Sequence, residues 1–152
     1  MFVFSTNNPA QPVQAGSFSH ARVCDPVIAD DNYAYVTLRS GSTCQGFINQ
    51  LDIVDIRNLS NTKLVKSYPL TNPHGLSKYG DVLFICDGAA GLKVFDAADV
   101  SNIRLLHTAG GMDAYDVITI NGLVIVVAKD GLYQYEYRGS DNLQPLSKIS
   151  YN

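Results

Sequence analysis

Leu51-Asp52-Ile53-Val54-Asp55, Leu92-Lys93-Val94-Phe95-Asp96 and Leu132-Tyr133-Gln134-Tyr135-Glu136 are three versions of one short segment that ends on an acid. Asp55 and Asp96 lie 41 residues apart, and Asp96 and Glu136 lie 40 apart. A strand-like motif returning at this period marks stacked β units, each too small to bury its own apolar face. Turn residues recur between the copies. Asp31-Asn32, Gly80-Asp81 and Asn121-Gly122 sit before the apolar runs, where two-residue hairpins need positive φ. Asn58-Leu59-Ser60-Asn61, Asp99-Val100-Ser101-Asn102 and Ser140-Asp141-Asn142 follow the motif strands.

Between these turns the chain reads as short strands, four to a repeat, with no apolar period of 3.6 residues lasting beyond one turn. The fold class is therefore all-β, with about three four-stranded repeats of some 41 residues, at 13–55, 63–96 and 103–136. Residues 1–5 match the last strand of an upstream repeat, and 144–151 match the first strand of a following one. The chain thus starts in the middle of a strand pattern, and the expectation is that further blades precede it. Between Val36 and Asp55 the first repeat carries eight more residues than its counterpart between Ile85 and Asp96. The extra segment, roughly Arg39 to Gln50, is the place where function would be grafted onto a repeated scaffold. Its plainer role is a cap over a blade edge.

The 152 residues are 46% hydrophobic and 16% charged, the balance of a folded chain. The net charge of −3 and the scattering of eleven Lys and Arg residues argue against a nucleic-acid partner, which requires a basic stripe. No apolar run approaches the roughly 18–20 residues of a membrane span. The sequence as it stands shows no signal peptide.

The chain resembles the LVIVD-repeat family. The resemblance rests on Leu51-Asp52-Ile53-Val54-Asp55-Ile56, the weaker Leu92-Lys93-Val94-Phe95-Asp96, Asn32-Tyr33-Ala34-Tyr35-Val36, Gly88-Ala89-Ala90-Gly91 and Asn8-Pro9 with Gln11-Pro12. It extends over essentially the whole chain, and the third copy departs most. It implies β-propeller blades in a larger ring and an extracytoplasmic place, as a bacterial surface protein often held by a lipid anchor. It supplies no catalytic residues. Three blades alone would leave two apolar faces open, so either upstream blades or self-association is expected to cover them.

Equivalent positions at the start of each second strand hold Asp25, His74 and Tyr115, followed by Pro26, Gly75 and Asp116. In a propeller such positions share one face, so Asp25, His74, Tyr115, Asp116 and, in the insertion, Arg39 are candidates for contacting a protein or glycan ligand. Their plainer role is to satisfy backbone groups at strand ends. A hydrolase or lyase site at the mouth of the ring, built on Asp25, His74 and Asp116, is the rival. Convergence on a pocket would favour that enzyme, and a shallow face would favour binding. His74 has no second His at ligand spacing, and the turn residues Asp30, Asp31, Asp87 and Asp130 form no calcium loop, so neither a metal nor a cofactor is expected.

Cys24 and Cys44 fall in two loops that a four-stranded blade brings to one face, which makes them disulfide candidates. The alternative is three reduced cysteines. Cys86 lies in an apolar strand and reads as a buried thiol. With the bridge formed, denatured unreduced protein carries one titratable thiol per chain; a count of three would exclude the bridge.

Overall fold

The computed structural model describes residues 1–18, 26–41, 48–139 and 142–151. Among them the chain forms fourteen strands and one 3₁₀ turn, Leu59–Asn61. The strands are β1 (Phe2–Ser5), β2 (Val13–Ser17), β3 (Val27–Ala29), β4 (Tyr33–Leu38), β5 (Gln50–Asp55), β6 (Lys63–Pro69) and β7 (Leu76–Tyr79). They continue as β8 (Val82–Cys86), β9 (Leu92–Asp96), β10 (Arg104–Ala109), β11 (Ala114–Ile120), β12 (Leu123–Ala128), β13 (Gly131–Tyr137) and β14 (Leu143–Ser150). They make one two-stranded sheet, β1-β2, and three four-stranded sheets, β3-β4-β5-β6, β7-β8-β9-β10 and β11-β12-β13-β14. Every pairing is antiparallel. No described helix is long and apolar enough to cross a membrane.

The sheets are phased one strand later than the sequence repeats. Lys63–Pro69 folds back on β5 and closes the first four-stranded sheet, and β14 likewise pairs with β13. The crossing from one sheet to the next is made by the segments after β6 and β10. Both kinds of link are rich in turn residues, so composition alone does not set the phase. Asn121 and Gly122 show how a turn is decided locally: with φ of 50° and 83° they give the right-handed twist that a two-residue hairpin needs.

One irregularity recurs in all four sheets. Ser5↔Val13, Asp55↔Lys63, Asp96↔Arg104 and Glu136↔Gln144 are matching pairs, each followed by a second pair and then a bulge. The bulge adds twist at the outer strand pair. Its recurrence makes β1-β2 the counterpart of the pairs β5-β6, β9-β10 and β13-β14.

Two cores lie between the sheets. Tyr35, Leu51 and Ile53 from the first four-stranded sheet meet Leu76, Leu83 and Ile85 from the second. Phe84, Cys86, Leu92 and Val94 on the second sheet's other face meet Val117, Val124, Val126 and Tyr135 from the third. Phe84 sits edge-on to Tyr137, with ring centroids 5.4 Å apart. At the outer rim the Tyr68 hydroxyl donates to the Val100 carbonyl and accepts from the Ile103 N–H, tying two sheets together. At the inner edge the Ser77 and Thr119 hydroxyls are 2.7 Å apart. Tyr33 and Tyr35 pack into the first of these cores as strand residues, with Tyr35 almost fully buried.

Because Phe84 fills the space between two sheets, Phe84→Ala removes both transfer energy and packing. The expected loss is about 3–5 kcal/mol in urea unfolding, with unchanged far-ultraviolet circular dichroism at zero denaturant.

Candidate functional site

The strand directions bring one set of links to a common face: the segments after β4, between β6 and β7, between β8 and β9, between β10 and β11, and between β12 and β13. Arg39, His74, Tyr115 and Asp116 all lie on or beside these links. The structure gathers them into one cluster. Asp25, Cys24 and Cys44 lie outside the described residues, as does part of the insertion.

His74 is held by its backbone first. Its N–H donates to the Cys86 carbonyl at 2.7 Å, and its own carbonyl accepts from the Thr37 hydroxyl at 2.6 Å. Gly75 donates to the Tyr115 carbonyl and accepts from the Cys86 N–H, binding the start of β7 to both neighbours. The approach is close. A Cβ at Gly75 would fall 1.9 Å from the Asp116 Oδ1 and 2.9 Å from the Asp116 Cα, so only glycine fits.

The imidazole sits among three side chains. Arg39 Nη1 lies 2.9 Å from Nδ1 and 3.0 Å from Nε2. Asn72 Nδ2 is 3.2 Å from Nε2. The Tyr115 ring stands 5.3 Å away, tilted by 44°. Nη1 is nearly equidistant from the two ring nitrogens, only one of which carries a lone pair in a neutral imidazole, so at most one of these two contacts is a hydrogen bond. Burial, and then the Arg39 charge, holds the His74 pKa below its ordinary value, while Asp113 and Asp87 oppose this. The neutral imidazole is the form the site keeps.

Two carboxylates frame the cluster. Asp87 is fully buried and accepts from the N–H groups of Thr71 and Asn72, at 2.9 and 2.7 Å, while Lys93 Nζ pairs with it at 2.6 Å. These charge-assisted bonds fix the segment that carries Asn72 and His74. Asp113 accepts from the Tyr115 hydroxyl at 3.1 Å, and the Tyr115 pKa is raised by burial and by that bond. Asp113 also lines a depression of about 290 Å³ with Ala89, Gly111, Met112, Lys129 and Asp130. Asp116 is exposed and accepts from the Val117 N–H. Burial, with Asp116 adding to it, pushes the Cys86 thiol pKa up, which leaves this free cysteine unreactive.

Asn72, Asp87 and Asp113 were not singled out as site residues from the sequence. Asp87 was visible there as a turn aspartate serving hydrogen bonds, but its partners are fifteen and sixteen residues away. Asp30 and Asp130 also bind their own turns and strands: Asp30 accepts from Asn32 and Tyr33, and Asp130 from Tyr133 and Lys148. Among the described residues, no three His, Cys, Asp or Glu side chains come together as a metal would need.

The fold has a counterpart among solved structures. The N-terminal domain of Nup159, a β-propeller, superposes with a TM-score of 0.53 at 18% identity, over 82% of this chain and 30% of that one. The chain therefore spans under a third of that domain's length, and the likeness establishes an all-β, propeller-like fold. No family model matches the sequence, and none of the curated proteins does.

Because folded His74 binds its proton less readily than the unfolded chain, the unfolded state gains protons first on acidification. The stability it supports is fully present above about pH 6.5 and is lost as pH falls from there to the lowered folded value. His74→Gln is expected to flatten this part of the pH–stability curve. Equal slopes for the two proteins between pH 7 and 5 would contradict the assignment.

Proposed function

We propose that this chain is a non-catalytic interaction scaffold that engages a protein partner through the loop face carrying Arg39, His74, Asp113, Tyr115 and Asp116. One observation carries the reading. Among the described residues, the polar groups expected to matter pair with one another along the loop face. Arg39 meets His74, His74 meets Tyr115, and Tyr115 meets Asp113. Such a patch combines a tyrosine ring and a guanidinium, residue types that anchor protein interfaces, with two carboxylates beside them. Its hydrogen bonds hold it in place before a partner arrives, which lowers the ordering cost of binding.

The propeller-like fold supports the same reading at a coarser level, since such scaffolds present loops on a rigid stack. The hydrolase or lyase alternative would need His74 free to take up a proton from substrate, and here its ring is engaged by Arg39 and Asn72. The LVIVD resemblance supports placing the protein outside the cytoplasm, at a bacterial surface.

Immobilised chain should retain a defined protein from a cell-surface extract, and Tyr115→Ala and Arg39→Glu, each checked for native circular dichroism, should cut that retention by at least tenfold. Retention that survives both changes would remove this face from the interaction. Selective retention on a glycan array would replace the protein partner by a carbohydrate. Turnover of an ester or glycoside panel that His74→Gln abolishes would favour the enzyme.

A further inference from the structure

His74 and Arg39 meet from different sheets, and only one of them is fixed. The His74 backbone is tied to Cys86 through its N–H and to Thr37 through its carbonyl. Gly75 adds two bonds, to Tyr115 and Cys86. Asn72 is pinned from below by Asp87, which accepts from its N–H and from that of Thr71. Arg39 reaches the ring from the segment after β4, on a long stem with many rotamers. The imidazole therefore stays in place, and the guanidinium is the member able to move.

Among the described residues, the side-chain groups that reach the ring nitrogens are Arg39 Nη1 and the Asn72 amide. A neutral imidazole has one lone pair and can receive one N–H donor. An imidazolium has two N–H groups and no lone pair, so it can receive none. Asn72 can answer that change by turning its amide to offer the carbonyl oxygen. A guanidinium has no acceptor to offer, and with Nη1 2.9 Å from Nδ1 and 3.0 Å from Nε2 it would stand as a like charge against the ring.

The other charged and titratable groups around the ring do not offset this. Asp87, after β8, is occupied by two backbone N–H groups and by Lys93 of β9. Asp113, before β11, accepts from the Tyr115 hydroxyl. Asp116, in β11, accepts from the Val117 N–H, and the buried Cys86 thiol stays neutral. Asp113 and Asp87 favour the imidazolium through space, but burial and the Arg39 charge outweigh them and hold the titration below about pH 6.5.

We propose that His74 and Arg39 form a proton-operated latch on the loop face: the neutral imidazole seats the guanidinium, and the imidazolium displaces it. Under the interaction role proposed above, on which this consequence rests, the face offers Arg39 in one fixed place only while His74 is neutral. Acidification then withdraws an anchor from the partner.

NMR spectra of the isotope-labelled chain between about pH 8 and 5 test this. The His74 ring carbons report its protonation, and the Arg39 Nε–H signal reports the seat of the guanidinium. The two should move together with one midpoint, below about pH 6.5. Arg39→Gln removes the neighbouring charge and should raise the His74 midpoint by about 0.5 or more. His74→Gln, checked for native circular dichroism, should abolish the Arg39 transition. An Arg39 signal that ignores the titration of His74, or a transition that persists in His74→Gln, would overturn the latch. So would a His74 midpoint that Arg39→Gln leaves unchanged. These signals come from the chain alone, so they decide the latch whether or not a protein partner is retained.

Discussion

Strand β8 has no exposed face, and the rest of the molecule is arranged around that fact. Leu83 and Ile85 point into one core and Phe84 and Cys86 into the other, all fully buried. A strand that is apolar on both sides cannot be satisfied by one neighbour, so the sheet must be sandwiched. Each neighbouring sheet then acquires a second face with the same requirement. Stacking meets it repeatedly, and the first strands of the three four-stranded sheets touch in order, β3 against β7 and β7 against β11. The stability of each sheet is therefore a property of the pair it belongs to.

The candidate site depends on the same strand. Cys86 ends β8, and its carbonyl and N–H hold His74 and Gly75. The next residue, Asp87, turns its carboxylate inward to the N–H groups of Thr71 and Asn72. A buried carboxylate is tolerated there because backbone donors and the Lys93 ammonium compensate its lost hydration. The loop face is thus fixed from below, by the end of a core strand, and its side chains are left to face outward.

Much of this architecture was legible in the sequence. The repeat of Leu51–Asp55 in Leu92–Asp96 and Leu132–Glu136 located β5, β9 and β13, and the Asn-Gly and Gly-Asp pairs located hairpins. Equivalent positions at His74 and Tyr115 came together as neighbours because repeated units stack in register. The phase of the sheets was not legible, since fold-back and crossover links share one composition. The bulges were not legible either, because an extra residue in a strand such as Ala15 or Leu106 leaves no mark on a short apolar pattern. Asn72 and Asp113 escaped notice for a related reason: amides and carboxylates in turns have many local uses, and only three-dimensional placement shows which one prevails.

In all four sheets each strand pairs with its neighbour in the chain, with no crossover inside a sheet. The loops that must close to form these pairs are short, so the entropy lost before contacts form is small. Within each sheet, strands that pair with their chain neighbours do not have to wait for distant segments to find one another. Nucleation can begin in any hairpin and spread to the next sheet as its apolar face demands cover. A nascent chain leaving the ribosome can consolidate one sheet while the following one is still being made. The order of synthesis and the order of assembly then coincide, and slippery, half-paired strands spend little time exposed.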